Sequence, residues 1–304
     1  MALDAWRFPE GGPLDRLDKR ISRPVLHAAL PLYLECALSV PASWFGCPLT
    51  AIGVVPLVLA ALDSSLLFAA CVSLPVVLGG LAYWGKLCHE NVTTGAGVRR
   101  AYSFLSKPKI IGLGQAVVAA ATYIGGRRAA HDVAVYLVSW HLVQTLLEVL
   151  KGLFWRLRPT ACMQEELEKV HRFISDLSAI VKLDTQANLS FPSGDAAGGA
   201  IFATTAALAS PASVPLVAMA AILCALGRVY FHCHHMVDVV VGQVIGVVVT
   251  LLVSRCVDAS WIHVSLAQAF LVLMWPLIQK VKPKDAAKMT LSPEGLKIND
   301  GKGT

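Results

Sequence analysis

Residues 212–253 read ASVPLVAMAAILCALGRVYFHCHHMVDVVVGQVIGVVVTLLV, and the fold follows from how this stretch is divided. Two apolar runs meet at a polar junction that holds Arg228, His234 and Asp238. Each run reaches the length of about 20 residues that an α-helix needs to cross a bilayer. Neither alternates with a period of two, so a strand reading fails. Charge is confined to the junction, which puts these ionisable groups at helix ends, and in a membrane chain such groups are functional suspects.

Composition extends that reading outward. The 304-residue chain is 56% hydrophobic and 15% charged, with a mean hydropathy of +0.61, whereas soluble domains carry roughly 25% charged residues. The chain reads as an integral membrane protein. Its net charge of +6 is scattered between apolar spans, which fits anionic lipid headgroups and not nucleic acid. The eight cysteines form no C-x-x-C pair and no zinc-spaced cluster with histidine. The first 24 residues are charged and lack an apolar core, so no cleavable signal peptide is expected and the spans themselves direct insertion.

Residues 1–46 read as a polar, flexible or interfacial N-terminus followed by an interfacial segment, because Pro31, Glu35 and Pro41 interrupt residues 25–46. Residues 47–279 form the transmembrane domain. Within it, 47–84 read as an apolar hairpin broken at Asp63-Ser64-Ser65, and 110–124 as a short apolar stretch ended by Gly125-Gly126. Spans follow over 133–150, 212–231, 234–253 and 262–278, with a small-residue helix from Ser193 to about Ser210. The Lys-rich stretch 280–304 reads as a disordered tail. The fold class is all-α, a polytopic membrane helix bundle.

Three groups of residues carry chemistry. Lys151 and Arg158 are seven apart, two helical turns, and Pro159 frees the Arg158 fork by ending the helix. A Lys point charge beside Arg donors suits phosphate oxygens, although two snorkelling cations would look the same. Phe191-Pro192-Ser193-Gly194 opens the small-residue helix, with Ser193 as N-cap and the Gly194 amide at the positive end of the helix dipole. His234 and Asp238 stand at i,i+4, so the carboxylate can orient the imidazole and leave its other nitrogen as nucleophile. Arg228 adds a third cation.

Taken in order, Lys-x6-Arg-Pro, Pro-Ser-Gly and Arg-x5-His-x3-Asp resemble the type 2 phosphatidic acid phosphatase (PAP2) superfamily, over roughly residues 130–255. His234-His235 followed by Asp238 looks like its polyisoprenoid diphosphate phosphatase branch. The resemblance implies a haloperoxidase-like helix bundle in a multi-pass membrane protein, with the endoplasmic reticulum membrane as its preferred setting. It implies a phosphohistidine formed on His234 with Asp238 orienting the ring. Lys151, Arg158, Ser193, Gly194 and Arg228 would hold the phosphoryl oxygens, with no metal and no cofactor. The partners it implies are a lipid phosphate substrate and the bilayer; no nucleic acid and no oligomeric partner is assigned.

Asp195 departs from that pattern, for the family has His there as the acid that protonates the leaving oxygen. A helix N-terminus and nearby cations favour an ionised Asp195, which is a poor acid. Phosphate leaving from a diphosphate needs a proton less than an alcohol does, so lipid diphosphates are the expected substrates. Competing readings are a catalytically inactive membrane scaffold and a lipid headgroup phosphotransferase. His232 is expected to face solvent or headgroups and His235 to cap or pack locally. If 110–124 spans, the site shares the side of the N-terminus, and the Lys/Arg distribution puts that side in the cytosol.

Overall fold

The breaks in hydropathy become breaks between helices. The computed structural model describes residues 11–45, 51, 54–62, 108–154, 156–159, 189–258, 289–292 and 295–298. Its helices are α1 (Pro13–Leu26), α2 (Leu32–Trp44), α3 (Val55–Leu62), α4 (Pro108–Phe154), α5 (Gly194–Ala209), α6 (Val214–Tyr230) and α7 (Met236–Cys256). The expected hairpin beyond Leu62 and the span 262–278 lie outside the described residues. Within the tail expected to be disordered, Met289–Ser292 and Gly295–Ile298 instead pair as antiparallel strands β1 and β2.

Among the described residues, three helices are long and apolar enough to cross a membrane: Tyr123–Phe154, Pro211–Tyr230 and Met236–Cys256. Their outer faces are greasy. Leu142, Leu146 and Val149 on α4, Leu216, Met219 and Ile222 on α6, and Val244, Val248 and Leu252 on α7 are all exposed, as lipid-facing side chains are. The chain is an integral membrane protein. Within α4 the helix breaks at Gly126, whose φ of 76° and ψ of −160° is open to glycine alone. That break falls at the Gly125-Gly126 boundary expected for the 110–124 stretch.

The 16-residue α5 is the hub, packed against α4, α6 and α7. At about 24 Å it is shorter than the spans around it. Ser193 caps it, its side chain accepting from the Ala196 amide at 3.3 Å, and helix follows because Gly-Asp-Ala-Ala-Gly-Gly-Ala offers neither a β-branched run nor proline. The α5–α7 contact is backbone against backbone. A Cβ on Gly246 would lie 2.6 Å from the Ala197 carbonyl oxygen, and one on Gly242 would fall on the Ser193 carbonyl oxygen. Small residues at membrane helix seams permit this approach.

One expectation about the N-terminus changes. Residues 13–26 are an ordered helix and not a flexible arm: Pro13 starts α1, Gly11 donates its amide to Asp15 Oδ2 at 2.9 Å, and Arg23 sits in the last turn. The face bearing Asp15, Asp18, Ser22 and Leu26 is buried. Polar composition suggested solvation, but these polar groups are the ones turned inward. At 13 residues, about 20 Å, α2 is too short to span. Its buried Glu35 accepts a hydrogen bond from the Tyr230 hydroxyl.

The α5–α7 seam yields a stability test. Gly242→Ala forces two backbones apart and is expected to cost about 1–3 kcal/mol, read as a lower thermal midpoint in detergent. Gly152→Ala, where a Cβ meets nothing within 4 Å, should leave the midpoint unchanged or raise it slightly. Equal midpoints for Gly242→Ala and wild type would show that the seam is not tight.

Candidate active site

Two short backbone contacts assemble the site. Leu157 and Leu189 form an antiparallel bridge, and Ser190 donates its amide to the Arg156 carbonyl at 2.7 Å. Arg158 Nε donates to the Leu189 carbonyl at 3.2 Å, which fixes the guanidinium beside the 191–194 turn. Helix α4 ends at Phe154, so Arg158 lies beyond it and does not share a helical face with Lys151. The second contact is the Ser193 amide on the Asp238 carbonyl at 3.0 Å, tying the start of α5 to the start of α7. Gln144 Nε2 adds a bond to the Gly194 carbonyl at 3.1 Å.

His234 is not on the helix expected to carry it. Helix α7 begins at Met236 with His235 as N-cap, and His234 lies in a turn whose amides at Cys233 and His234 fold back onto the Arg228 carbonyl at 3.0 and 3.2 Å. The ring is therefore oriented differently from the sequence expectation. Its Nδ1 lies 2.7 Å from the Ser190 carbonyl and 3.8 Å from Asp238 Oδ2. A carbonyl can only accept, so Nδ1 carries the proton and Nε2 presents its lone pair. That lone pair faces Arg228 Nη2 at 3.5 Å.

The electrostatics keep the ring neutral. His234 is fully buried, and burial followed by the charges of Arg158, Arg228 and Lys151 pushes its pKa well below the ordinary value. Lys151 also bonds Glu148 Oε1 at 2.9 Å and retains partial exposure. Arg228 Nη2 meets Asp195 Oδ2 at 2.8 Å, while its Nη1 donates to the Ala42 carbonyl at 3.2 Å. Asp195 is thus the ionic partner of one of the expected phosphate-binding cations. The structure brings Lys151, Arg158, Ser193, Arg228, His234, Asp238 and Asp195 to one end of the bundle, with Gly194 opening α5 beside them.

Asp238 has other partners than His234. Its Oδ2 accepts the His235 amide at 2.8 Å and its Oδ1 binds Arg156 Nη1 at 2.6 Å. Arg156 escaped the sequence reading. Its Nη2 reaches Asp18 Oδ2 at 2.6 Å and Asp15 Oδ1 at 3.3 Å, and all four side chains are buried. Burial opposes its charge, but the Asp238 and Asp18 carboxylates outweigh that and raise its pKa. The available signal was Asp15, Asp18 and Ser22 on one face of a helix opposite an Arg-x-Arg-Pro turn. Among the described residues, no group of His, Cys, Asp or Glu could hold a metal ion.

The flanking histidines settle differently from each other. His232, expected to face solvent, is buried, in the left-handed region at φ 56°, with Nε2 2.8 Å from the Leu26 carbonyl. His235 caps α7 and is buried under α1, and burial, then Arg156, lowers its pKa to about 4. Its sign is clear: the unfolded chain takes up a proton near pH 6.5 and the folded one near 4. Stability contributed by neutral His235 is full above pH 6.5 and is lost as pH falls toward 4. The thermal midpoint should drop across that window, and His235→Gln should flatten the drop by an amount on the order of 3 kcal/mol. Parallel pH profiles for the two proteins would contradict it.

Residues 132–262 match the family model described as the PAP2 superfamily, a stretch that runs from α4 past the end of α7 and includes every expected site residue. No curated protein and no solved structure matches the chain. The helices that carry this site thus lie in the part of the chain that is similar to the PAP2 superfamily.

Proposed function

We propose that the protein hydrolyses lipid diphosphates, isoprenoid diphosphates foremost, through a phosphohistidine on His234. The superfamily supports phosphatase activity on lipid-type phosphates. The observation that carries the finer reading is the Nδ1 bond from His234 to the Ser190 carbonyl, which leaves a neutral Nε2 facing Arg228 within reach of the charges of Arg158 and Lys151. Such a nitrogen is a competent nucleophile without losing a proton first. The cations stabilise the charge that spreads over the phosphoryl oxygens in flight.

In the first step the Nε2 lone pair forms the N–P bond. The P–O bond to the leaving phosphate breaks, and its electron pair goes to that oxygen. The ring gains positive charge while Nδ1 keeps its proton on Ser190, and the Asp238 carboxylate at 3.8 Å compensates that charge. Water then attacks phosphorus, loses a proton to solvent, and returns the N–P electrons to Nε2.

Asp195 decides the substrate class. Its carboxylate is engaged with the Arg228 guanidinium at 2.8 Å and is not aimed at a leaving oxygen as a donor. An alcohol leaving group would depart unassisted, whereas a phosphate leaving group departs readily. The same ion pair favours a second reading, an inactive scaffold, because the carboxylate sits where a phosphoryl oxygen would bind Arg228. A headgroup phosphotransferase would use the same intermediate with an alcohol in place of water.

Phosphate release from farnesyl diphosphate, farnesyl monophosphate and phosphatidic acid, measured on purified protein in EDTA-containing buffer, separates these readings. His234→Ala should abolish release while the thermal midpoint stays near that of wild type; retained turnover would remove His234 as nucleophile.

For the wild type, the diphosphate should turn over much faster than the monophosphate. Asp195→His should raise the monophosphate rate by about 10²–10⁴-fold and the diphosphate rate far less. Equal rates unchanged by Asp195→His would contradict the assignment of Asp195, and activity appearing only in that variant would favour the scaffold.

A further inference from the structure

The inward and outward faces of α1 suit different neighbours. Inward, Ser22 Oγ accepts the Met236 amide at 2.8 Å and Asp18 Oδ1 accepts the Val237 amide at 2.9 Å. These amides open α7 and have no acceptor within their own helix. Outward, Leu14, Leu17 and Ile21 recur at i, i+3 and i+7 and are 67%, 53% and 48% exposed. Arg16, Arg20 and Arg23 form a separate exposed basic face. An apolar stripe beside a basic face on one helix is the composition of a helix lying in the plane of a bilayer surface.

We propose that α1 rests on the anionic leaflet beside the site and that this contact clamps the start of α7. Leu14, Leu17 and Ile21 would enter the acyl boundary, and Arg16, Arg20 and Arg23 would meet phosphate-bearing headgroups. Position and charge select this occupant. Helix α1 packs on α6 and α7, both candidate spans, at the ends that carry Arg228 and Asp238. It therefore lies where a bilayer surface must pass. A neutral surface would take the apolar stripe but leave three arginines uncompensated, whereas each cation near an anionic leaflet strengthens attachment about fivefold. The contact reaches Asp238 by two routes, the amide caps from Ser22 and Asp18 and the Arg156 bridge from Asp15 and Asp18.

The test is amide hydrogen exchange on the full-length protein in nanodiscs, without substrate, so it stands apart from the phosphatase reading. Discs of phosphatidylcholine are compared with discs of phosphatidylcholine and phosphatidylserine. Anionic discs should slow exchange about tenfold or more across residues 13–26 and at Met236 and Val237. The triple variant Arg16→Gln, Arg20→Gln, Arg23→Gln should erase the difference between discs. Leu17→Ser should speed exchange of α1 in both. Equal exchange of wild-type α1 in the two lipids would overturn the anionic contact. Slowing over 13–26 that leaves 236–237 unchanged would overturn the clamp.

Discussion

A buried guanidinium joins three parts of the chain that are far apart in sequence. Arg156 follows α4, and its partners Asp15 and Asp18 come from α1 and Asp238 from α7. Removing a charge from water is costly, and only close carboxylates repay it. Once Arg156 is buried, α1 and α7 must therefore sit where their carboxylates reach it. Loss of Arg156 would leave buried carboxylates uncompensated, which typically costs about 3–5 kcal/mol. The same residue's carbonyl accepts the Ser190 amide, so the network also sets the backbone that orients His234.

That arrangement divides labour around His234. The Ser190 carbonyl selects the tautomer, burial and then the cations depress the basicity of the ring, and Asp238 supplies negative charge at a distance while holding α7 to Arg156. A carboxylate bonded directly to Nδ1 would do all three jobs less independently. Here the proton on Nδ1 is fixed by a neutral acceptor, and a change at Asp238 would act first on the start of α7.

Asp195 and Arg228 show how one substitution alters a site without dismantling it. Asp195 stands at the N-terminus of α5, where the helix dipole favours a carboxylate, and its ion pair occupies one guanidinium nitrogen of Arg228. In the proposed phosphatase reading, a substrate would compete with that pair for Arg228, and a group rich in phosphate charge would compete best.

Sequence alone determined the class and most of the site. The apolar runs, the breaks at Gly126 and Pro211, and the cap at Ser193 are local properties of hydropathy and backbone conformation. The ordered cations and the His-Asp pair were legible because they stand at helix ends. Tertiary structure decided the rest. The i,i+4 spacing of His234 and Asp238 suggested a shared helix, but the chain turns at His232, and Ser190, 44 residues away, takes the ring. Asp15, Asp18 and Arg156 were not picked out because composition records polarity and not partners. Their burial depends on three segments meeting, and long-range pairing of buried charge leaves no periodic trace in sequence.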